Sequence, residues 1–528
     1  MIPSPSLRAR VSQWRARTEM SPLTLVLLTI LFIFVFDNST FWQIGHGIFA
    51  GHLLSFATYI LAVACLMLAF FSAFSFPWLV KPFLAFMLVT SAITSYYMDT
   101  LGVIIDRDMI QNAMVTTVTE SKHLITPGFV THVVLYGVLP ALLVAFVKLR
   151  RFGLLRTLAT PVAGLVAGLA LAAGLLMTDM KSYSSILRER KDFMSSFQPG
   201  APLVGAIRYA KMMMKTANVT VAAIGKDAAK GPAYAKSTKP VLTIIVAGET
   251  ARAQNFSLNA TATSLPCMFS KFGRTDYSFA KGLENQNVLD VLTHAGLHVE
   301  WWDNNTGHKE IANRIPTREL THTENAEFCA AGECTDGIFM QQLEEYAATI
   351  TQDTVLVLHQ IGSHGPTYYL RYPPEFEKFS PACRTAEFKN CTPQEITNAY
   401  DNTIAYTDAI LAETIEFLHS QEQLDTALIY VSDHGESLGE GGLYLHGSPY
   451  FMAPEVQTQV PMILWMSPPF EERFSLDRSC LGTKKDLSLS HDNLFHSLLG
   501  MMDIETTERN AALDIFATCK NTTKVVEN

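Results

Sequence analysis

Five apolar stretches crowd the first 180 residues, at 23–42, 53–74, 79–97, 129–147 and 154–180. Each approaches the roughly 20 mainly apolar residues that a bilayer span requires. The first follows a basic arm, as a signal peptide would. No small-residue cleavage site follows it, however, and Asp37-Asn38-Ser39-Thr40-Phe41-Trp42 reads as a wet, aromatic interface, so we take it as an uncleaved anchor. Arg8, Arg10, Arg15 and Arg17 precede this span, Lys81 sits at the turn into the third, and Lys148, Arg150, Arg151 and Arg156 link the fourth to the fifth. The positive-inside rule makes these faces cytoplasmic. The loop at 98–127 sets Asp99, Asp106, Asp108 and Glu120 against Arg107 and Lys122, as an outer loop should. Five crossings then leave everything after Lys181 outside.

The remainder has the polar-punctuated composition of a soluble domain, which the overall 48% hydrophobic content conceals. A net charge of −9 without a basic, aromatic-interleaved stripe argues against nucleic acid and reads as a solvated acidic surface. Of eight cysteines, Cys65 lies within a span, as a small core residue, and seven fall in the exported part, where disulfides persist. Cys329/Cys334 and Cys383/Cys391 are close pairs in loop-like sequence. Cys480 with Cys519 is a further pairing that spacing alone does not fix, and Cys267 is left over.

Three regions follow: a five-span membrane domain at 1–180, an amphipathic connector at 181–237 and a catalytic domain at 238–528. In the connector, Arg208, Lys211 and Lys215 recur at helical spacing beside Ile207, Tyr209 and Met212. Such a helix suits an anionic bilayer surface or packing on the soluble domain. From Pro240 onward, apolar runs of strand length appear at 241–247, 355–358, 427–431 and 462–465, with a helical pattern at 398–419. This alternation predicts an α/β domain: a mainly parallel sheet with helices on both faces.

Three of these strands run directly into polar residues. The first leads to Glu249-Thr250, the second to His359 and His364, and the third to Asp433-His434, with His446 twelve residues beyond His434. In open α/β sheets, sites gather beyond the carboxyl ends of the strands. Singly, each residue has a bland reading, such as a solvated turn, an Asx turn or a satisfied core histidine. Jointly, Glu249, Asp433 and His434 form a mixed oxygen and nitrogen set suited to Zn²⁺ with one position open. His294, His298, His308, His322, His419, His491 and His496 lack such a context.

Several segments give a specific resemblance. VAGETARAQNFSL (246–258), SLPCMFS (264–270), WDNN (302–305), HQIGSHGPTY (359–368), SDHGESLGE (432–440), LYLHG (443–447) and MIQNAMVTTVTE (109–120) are similar to motifs of the lipid A phosphoethanolamine transferases. That family includes the mobile colistin-resistance enzymes. The resemblance implies an alkaline-phosphatase/sulfatase-like domain behind a five-helix transmembrane domain. It also implies phosphoethanolamine transfer from phosphatidylethanolamine to a lipid A phosphate at the bacterial inner membrane, with catalysis in the periplasm, a monomeric enzyme and polymyxin resistance as the outcome. Carried over, the zinc site is Glu249, Thr261, Asp433 and His434, with Thr261 as nucleophile because it lies six residues before Cys267. His364 and His446 match histidines beside the metal that bind a second zinc or handle protons. Asn112, Thr116, Glu120, Thr306 and Lys309 match the lipid-donor pocket, and Asn112, Thr116 and Glu120 recur every four residues, as on one helix face. The resemblance supports Cys329–Cys334 and Cys383–Cys391 as disulfides.

Two departures stand out. Family members carry a longer segment where Leu258-Asn259 here runs straight into Ala260-Thr261, and its loss removes the usual partner of Cys267. His308 replaces a cysteine common in the family. Rival readings are a membrane sulfatase or glycerophosphate transferase, an acceptor on a lipopolysaccharide core sugar or periplasmic glucan, and an inactive membrane sensor. Retention of Glu249, Thr261, Asp433, His434, His364 and His446 argues against the sensor.

Overall fold

Val241–Gly248 is buried at every position, which only a strand covered on both faces can sustain. The computed structural model describes residues 19–520 except 117, 181–182, 184–185, 187–189, 217–218, 253–260, 322, 324, 331–332, 448–452, 486 and 488. For 115, 118–120, 191–192 and 261–263 it describes the backbone alone. The chain forms two compact units, Met1–Arg107 with Ile125–Ala206, and Asp108–Leu124 with Ile207–Asn528.

In the second unit we number the strands β1 (Val241–Gly248), β2 (His298–Asp303), β3 (Thr317–Glu319), β4 (Thr354–His359), β5 (Asp425–Ser432) and β6 (Met462–Met466). They make one six-stranded sheet in the order β6-β5-β1-β4-β2-β3. All neighbours are parallel except β6, which runs antiparallel to β5 at the edge. Alternate side chains feed two cores. Val241, Ile245, Val355, Val357, Ala427 and Ile429 enter one, and Leu242, Ile244, Leu356, Leu358 and Leu428 enter the other.

The sequence anticipates β1, β4, β5 and β6 but not β2, because HVEWWD carries two carboxylates. Both accept hydrogen bonds from the adjacent tryptophans. Trp302 Nε1 donates to Glu300 Oε1 at 2.7 Å, and Trp301 Nε1 to Asp303 Oδ2 at 2.8 Å. The helical pattern at 398–419 lies within a longer helix, Pro393–Ser420, whose first turn is fixed by a Thr392/Glu395 capping box. The connector pattern becomes the helix Gly200–Thr216, with Val204, Ile207, Met213 and Met214 exposed.

In the first unit, Leu53–Ser72, Pro127–Phe146 and Leu154–Met177 are long and apolar enough to cross a membrane. The expected single span at 23–42 is instead two helices, Pro22–Phe36 and Ser39–Ile48, bent by 71°. Counted together, they make a fourth crossing. Val80–Leu101 has the length, at 22 residues, but Lys81, Thr90, Ser91, Thr94, Ser95 and two tyrosines dilute its apolarity. The described residues thus hold three or four clear spans rather than five. Leu154–Met177 packs on Leu53–Ser72 through Gly164 and Gly168. A Cβ at Gly168 would stand 2.7 Å from both Ala69 N and Cys65 O, so this close approach needs small residues, as in other membrane helix pairs.

Three disulfides join Cys329–Cys334, Cys383–Cys391 and Cys480–Cys519. Cys267 and Cys65 are buried and unbridged. Burial, with Asp492 nearby, pushes the Cys267 thiol up to about 12. Peptide mapping without reduction is expected to return these three linkages. A peptide joining Cys267 to another cysteine would overturn the pairing.

Candidate active site

The strand register assembles the site. Gly248 pairs with Ser432, Ala247 with His359 and His359 with Asp303, so β5, β1, β4 and β2 end in one row. The next residues in each chain therefore emerge side by side: Asp433, Glu249, Gln360 and Asn304-Asn305. A strand-to-loop transition follows each one, which frees these side chains from the ladder.

Glu249, Asp433 and His434 are buried to 1% exposure or less. His434 Nδ1 lies 2.8 Å from the Gly435 carbonyl, which directs Nε2 at the carboxylates. Nε2 stands 3.1 Å from Glu249 Oε1 and 3.4 Å from Asp433 Oδ2. His446 joins them: ligand atoms of Glu249, His434 and His446 all lie within 4.8 Å of one another. Its ring is 4.0 Å from that of His434 and 5.8 Å from that of His364, centroid to centroid. The structure thus brings Glu249, Asp433, His434, His446 and His364 together.

The electrostatics are those of a cation site. Burial works to raise the Glu249 carboxyl, but the hydrogen bond and charge of His434, with His364 and His446 beyond, hold it well below the usual range. Burial and the Glu249 charge push Asp433 up to about 6. Burial opposes a charge on His434, yet the Asp433 and Glu249 carboxylates raise it to about 10. Two buried carboxylates demand positive charge, and in the metal-free protein a proton on His434 supplies it. Asp433 Oδ2 accepts no hydrogen bond among the described residues. Two carboxylates and two imidazoles with that vacant acceptor suit a divalent cation.

Supporting residues escape a reading of single motifs. Asn305 Nδ2 donates to Glu249 Oε2 at 2.9 Å and to the Gln360 carbonyl at 2.7 Å, fixing the carboxylate to the next loop. Thr250 Oγ1 donates to Glu249 Oε1 at 2.7 Å, and its N–H to Asp433 Oδ1 at 3.2 Å. Thr250 holds φ at 61°, strain that a β-branched residue accepts only where its surroundings impose it. Glu436, pushed up to about 8 chiefly by burial, stands 3.0 Å from His446 Nδ1 and accepts from the Tyr368 hydroxyl at 2.9 Å. Gly362 has φ +48°, and a Cβ there would meet Glu249 O at 2.6 Å, so the loop after β4 can close on Glu249 only with glycine. These positions sit inside the quoted motifs, but their roles depend on neighbouring strands.

Other expected residues are placed less directly. Lys309 Nζ donates to the Thr306 carbonyl and Oγ1 at 2.7 and 2.6 Å, and Thr306 follows Asn305 immediately. Thr261 opens the helix Thr261–Met268, but its side chain lies outside the described residues, as do Asn259 and Ala260. Asn112 lies on the helix Arg107–Val115, and Thr116 Oγ1 donates to its carbonyl at 2.7 Å. The side chain of Glu120 is outside the described residues. The expected single helix is two, Arg107–Val115 and Val118–Leu124. Five consecutive β-branched residues, Val115-Thr116-Thr117-Val118-Thr119, lower the helix propensity of this segment.

A buried carboxylate and imidazole centre lies at the carboxyl ends of this parallel sheet, and residues 242–504 match the sulfatase family model, so the domain is sulfatase-like. Residues 63–214 match the model described as phosphoethanolamine transferase EptA/EptB. The chain is 38% identical over 475 residues to phosphoethanolamine transferase EptA of Escherichia coli K12, covering 84% of this chain and 87% of that protein. It is 32% identical to phosphatidylethanolamine transferase Mcr-1 of Escherichia coli, with 92% and 96% covered. The integral membrane lipooligosaccharide phosphoethanolamine transferase A of Neisseria meningitidis superposes with a TM-score of 0.90 at 31% identity, covering 95% of this chain and 99% of that one. The chain belongs to the phosphoethanolamine transferases of the EptA and Mcr type: it is an integral membrane enzyme.

Proposed function

We propose that this enzyme transfers phosphoethanolamine from phosphatidylethanolamine to a lipid A phosphate, using zinc and a covalent intermediate on Thr261. The convergence of Glu249, Asp433, His434 and His446 carries this reading. Zinc held by Glu249, Thr261, Asp433 and His434 would acidify a coordinated hydroxyl and offset phosphoryl charge.

The remaining work falls to the chain. The Thr261 hydroxyl passes its proton to His364 or His446, Oγ attacks the donor phosphorus, the P–O bond to glycerol breaks, and diacylglycerol leaves with that proton. An oxygen of the lipid A phosphate then gives up its proton and attacks the same phosphorus, the bond to Thr261 breaks, and Thr261 Oγ takes a proton back through the same histidine. Lys309 faces the phosphoryl oxygens, Thr306, Asn112 and Thr116 bind the donor headgroup, and Glu120 meets its ammonium group. A second zinc beside His364 and His446 is compatible with two imidazoles at that edge. Masking lipid A phosphates lowers the negative charge of the outer membrane, which weakens polymyxin binding.

Five crossings, counting Val80–Leu101 and the bent pair as one each, would put 238–528 in the periplasm behind the membrane domain at 1–180 and the connector at 181–237. Exposed apolar and basic residues on Gly200–Thr216 support a bilayer-surface role for that helix. The enzyme is taken to act as a monomer.

The test is incubation of the detergent-solubilised protein with fluorescent phosphatidylethanolamine and lipid A. Labelled diacylglycerol and phosphoethanolamine on a lipid A phosphate are expected. Label on a core sugar or a glucan would reassign the acceptor, and absence of diacylglycerol would contradict the donor.

A further inference from the structure

Residues 108–124 interrupt the membrane helices in sequence, between Val80–Leu101 and Pro127–Phe146, yet they form one compact unit with 207–528. A specific contact joins this insertion to the catalytic fold. His123 Nε2 lies 3.3 Å from Glu333 Oε2. Glu333 stands on a short hairpin in which Cys329 pairs with Cys334 and Ala330 with Glu333, closed by the Cys329–Cys334 disulfide.

The same Glu333 oxygen accepts from Arg371 Nη1 at 2.7 Å. The Arg371 side chain is only 1% exposed, and its Nε donates to the His364 carbonyl at 2.9 Å. The hairpin is tied to the other side of the site as well. Asn304 Nδ2 donates to the Cys334 carbonyl at 3.0 Å and to Asp336 Oδ1 at 2.9 Å, and Asp336 also accepts from the N–H groups of Ile361 and Gly362. A path therefore runs from the 3.3 Å contact of His123 with Glu333, through the Glu333–Arg371 ion pair, to the backbone of His364. A planar guanidinium fork transmits position in a way a flexible ammonium would not.

We propose that His123, Glu333 and Arg371 form a latch that registers the lipid-donor insertion against the catalytic loop, with His123 acting as a positioning residue for the donor. This rests on the reading that Asn112, Thr116 and Glu120 bind that donor. The disulfide holds the hairpin, the hairpin presents Glu333, and Glu333 shares one oxygen between the insertion and the arginine that holds His364. Burial works to raise the Glu333 carboxyl, but Arg371, with His123 and His364, keeps it below the usual range, so it remains an anion able to hold both partners.

The test uses the full-length enzyme with phosphatidylethanolamine in mixed micelles. His123→Ala is expected to raise the donor KM about tenfold, through loss of the close His123 contact with the Glu333 carboxylate, with kcat held within about twofold. His123→Gln, which keeps an N–H donor, should recover most of the loss. In a Glu333→Gln background, His123→Ala should add little, because the partner is already weakened. An unchanged KM in His123→Ala, or equal losses in the Ala and Gln variants, would overturn the latch. Asn112→Ala separates the two ideas. If it raises KM while His123→Ala does not, the latch alone fails; if it leaves KM unchanged, the donor-site reading fails.

Discussion

Asp433→Ala and His434→Ala are each expected to lower transfer by about three orders of magnitude or more and to strip most of the bound zinc. Asp433 Oδ2 and His434 Nε2 face one another across 3.4 Å, with Glu249 Oε1 3.1 Å from the same nitrogen. Removing this imidazole takes away the nitrogen that faces both buried carboxylates, which can then take up protons in place of the metal. Removing Asp433 takes away one of the facing ligands, and losing a ligand from a buried set weakens the hold on the metal. Both residues follow β5 and are fully buried, so Asp433→Asn and His434→Gln, which keep the volume, should fold and still lose metal. Elemental analysis of purified variants checks this. Full zinc occupancy would sink the ligand assignment.

The largest loss of stability is expected far from the chemistry, in Arg473→Ala. Arg473 is 5% exposed and satisfies five acceptors. Nη1 donates to Asp425 Oδ2 at 2.8 Å and to the Lys239 carbonyl at 2.7 Å, Nη2 to the carbonyls of Tyr234 and Ser237, and Nε to that of Ala233. It therefore fastens the segment before β1 to the first residue of β5, which is itself buried. Truncation strands the Asp425 charge and four carbonyls, a cost of about 3–5 kcal/mol. For a domain of this size, that lowers the melting temperature by about 10 °C. Arg473→Lys should fall between, since it keeps the charge but not the fork. Because Asp425 starts β5 and the site lies at its other end, activity per folded molecule should survive. An unchanged melting curve would show that the cluster contributes little.

Much of this architecture is legible in the sequence because buried parallel strands are continuous apolar runs. Val241–Gly248, Thr354–His359 and Asp425–Ser432 each contain a run the sequence marks, and the residues after them form the site. His298–Asp303 is hidden by Glu300 and Asp303, whose carboxylates accept hydrogen bonds from adjacent tryptophans, a pairing visible only in space. Asn305, Thr250 and Glu436 are hidden for a similar reason: each acts by contacting a residue on another loop. In the membrane unit, hydropathy finds the apolar stretches but not their continuity. Asp37 and Asn38 lie between two helices bent by 71°, and both are buried rather than facing water.

The central claim is that Thr261 carries phosphoethanolamine. Thr261 lies twelve positions after Glu249, and an extended chain covers about 3.3 Å per residue, so both can reach one metal even with the shortened segment. Thr261 is also the first residue of the helix Thr261–Met268, where backbone N–H groups would meet an attacked phosphate. Thr250 and Ser264 are the hydroxyl neighbours that compete for the role. Mass spectrometry of peptides after incubation with phosphatidylethanolamine decides among them. Phosphoethanolamine should be found on the peptide containing Thr261 and should vanish in Thr261→Ala. An adduct that persists in that variant, or that sits on Thr250 or Ser264 in the wild type, would contradict it.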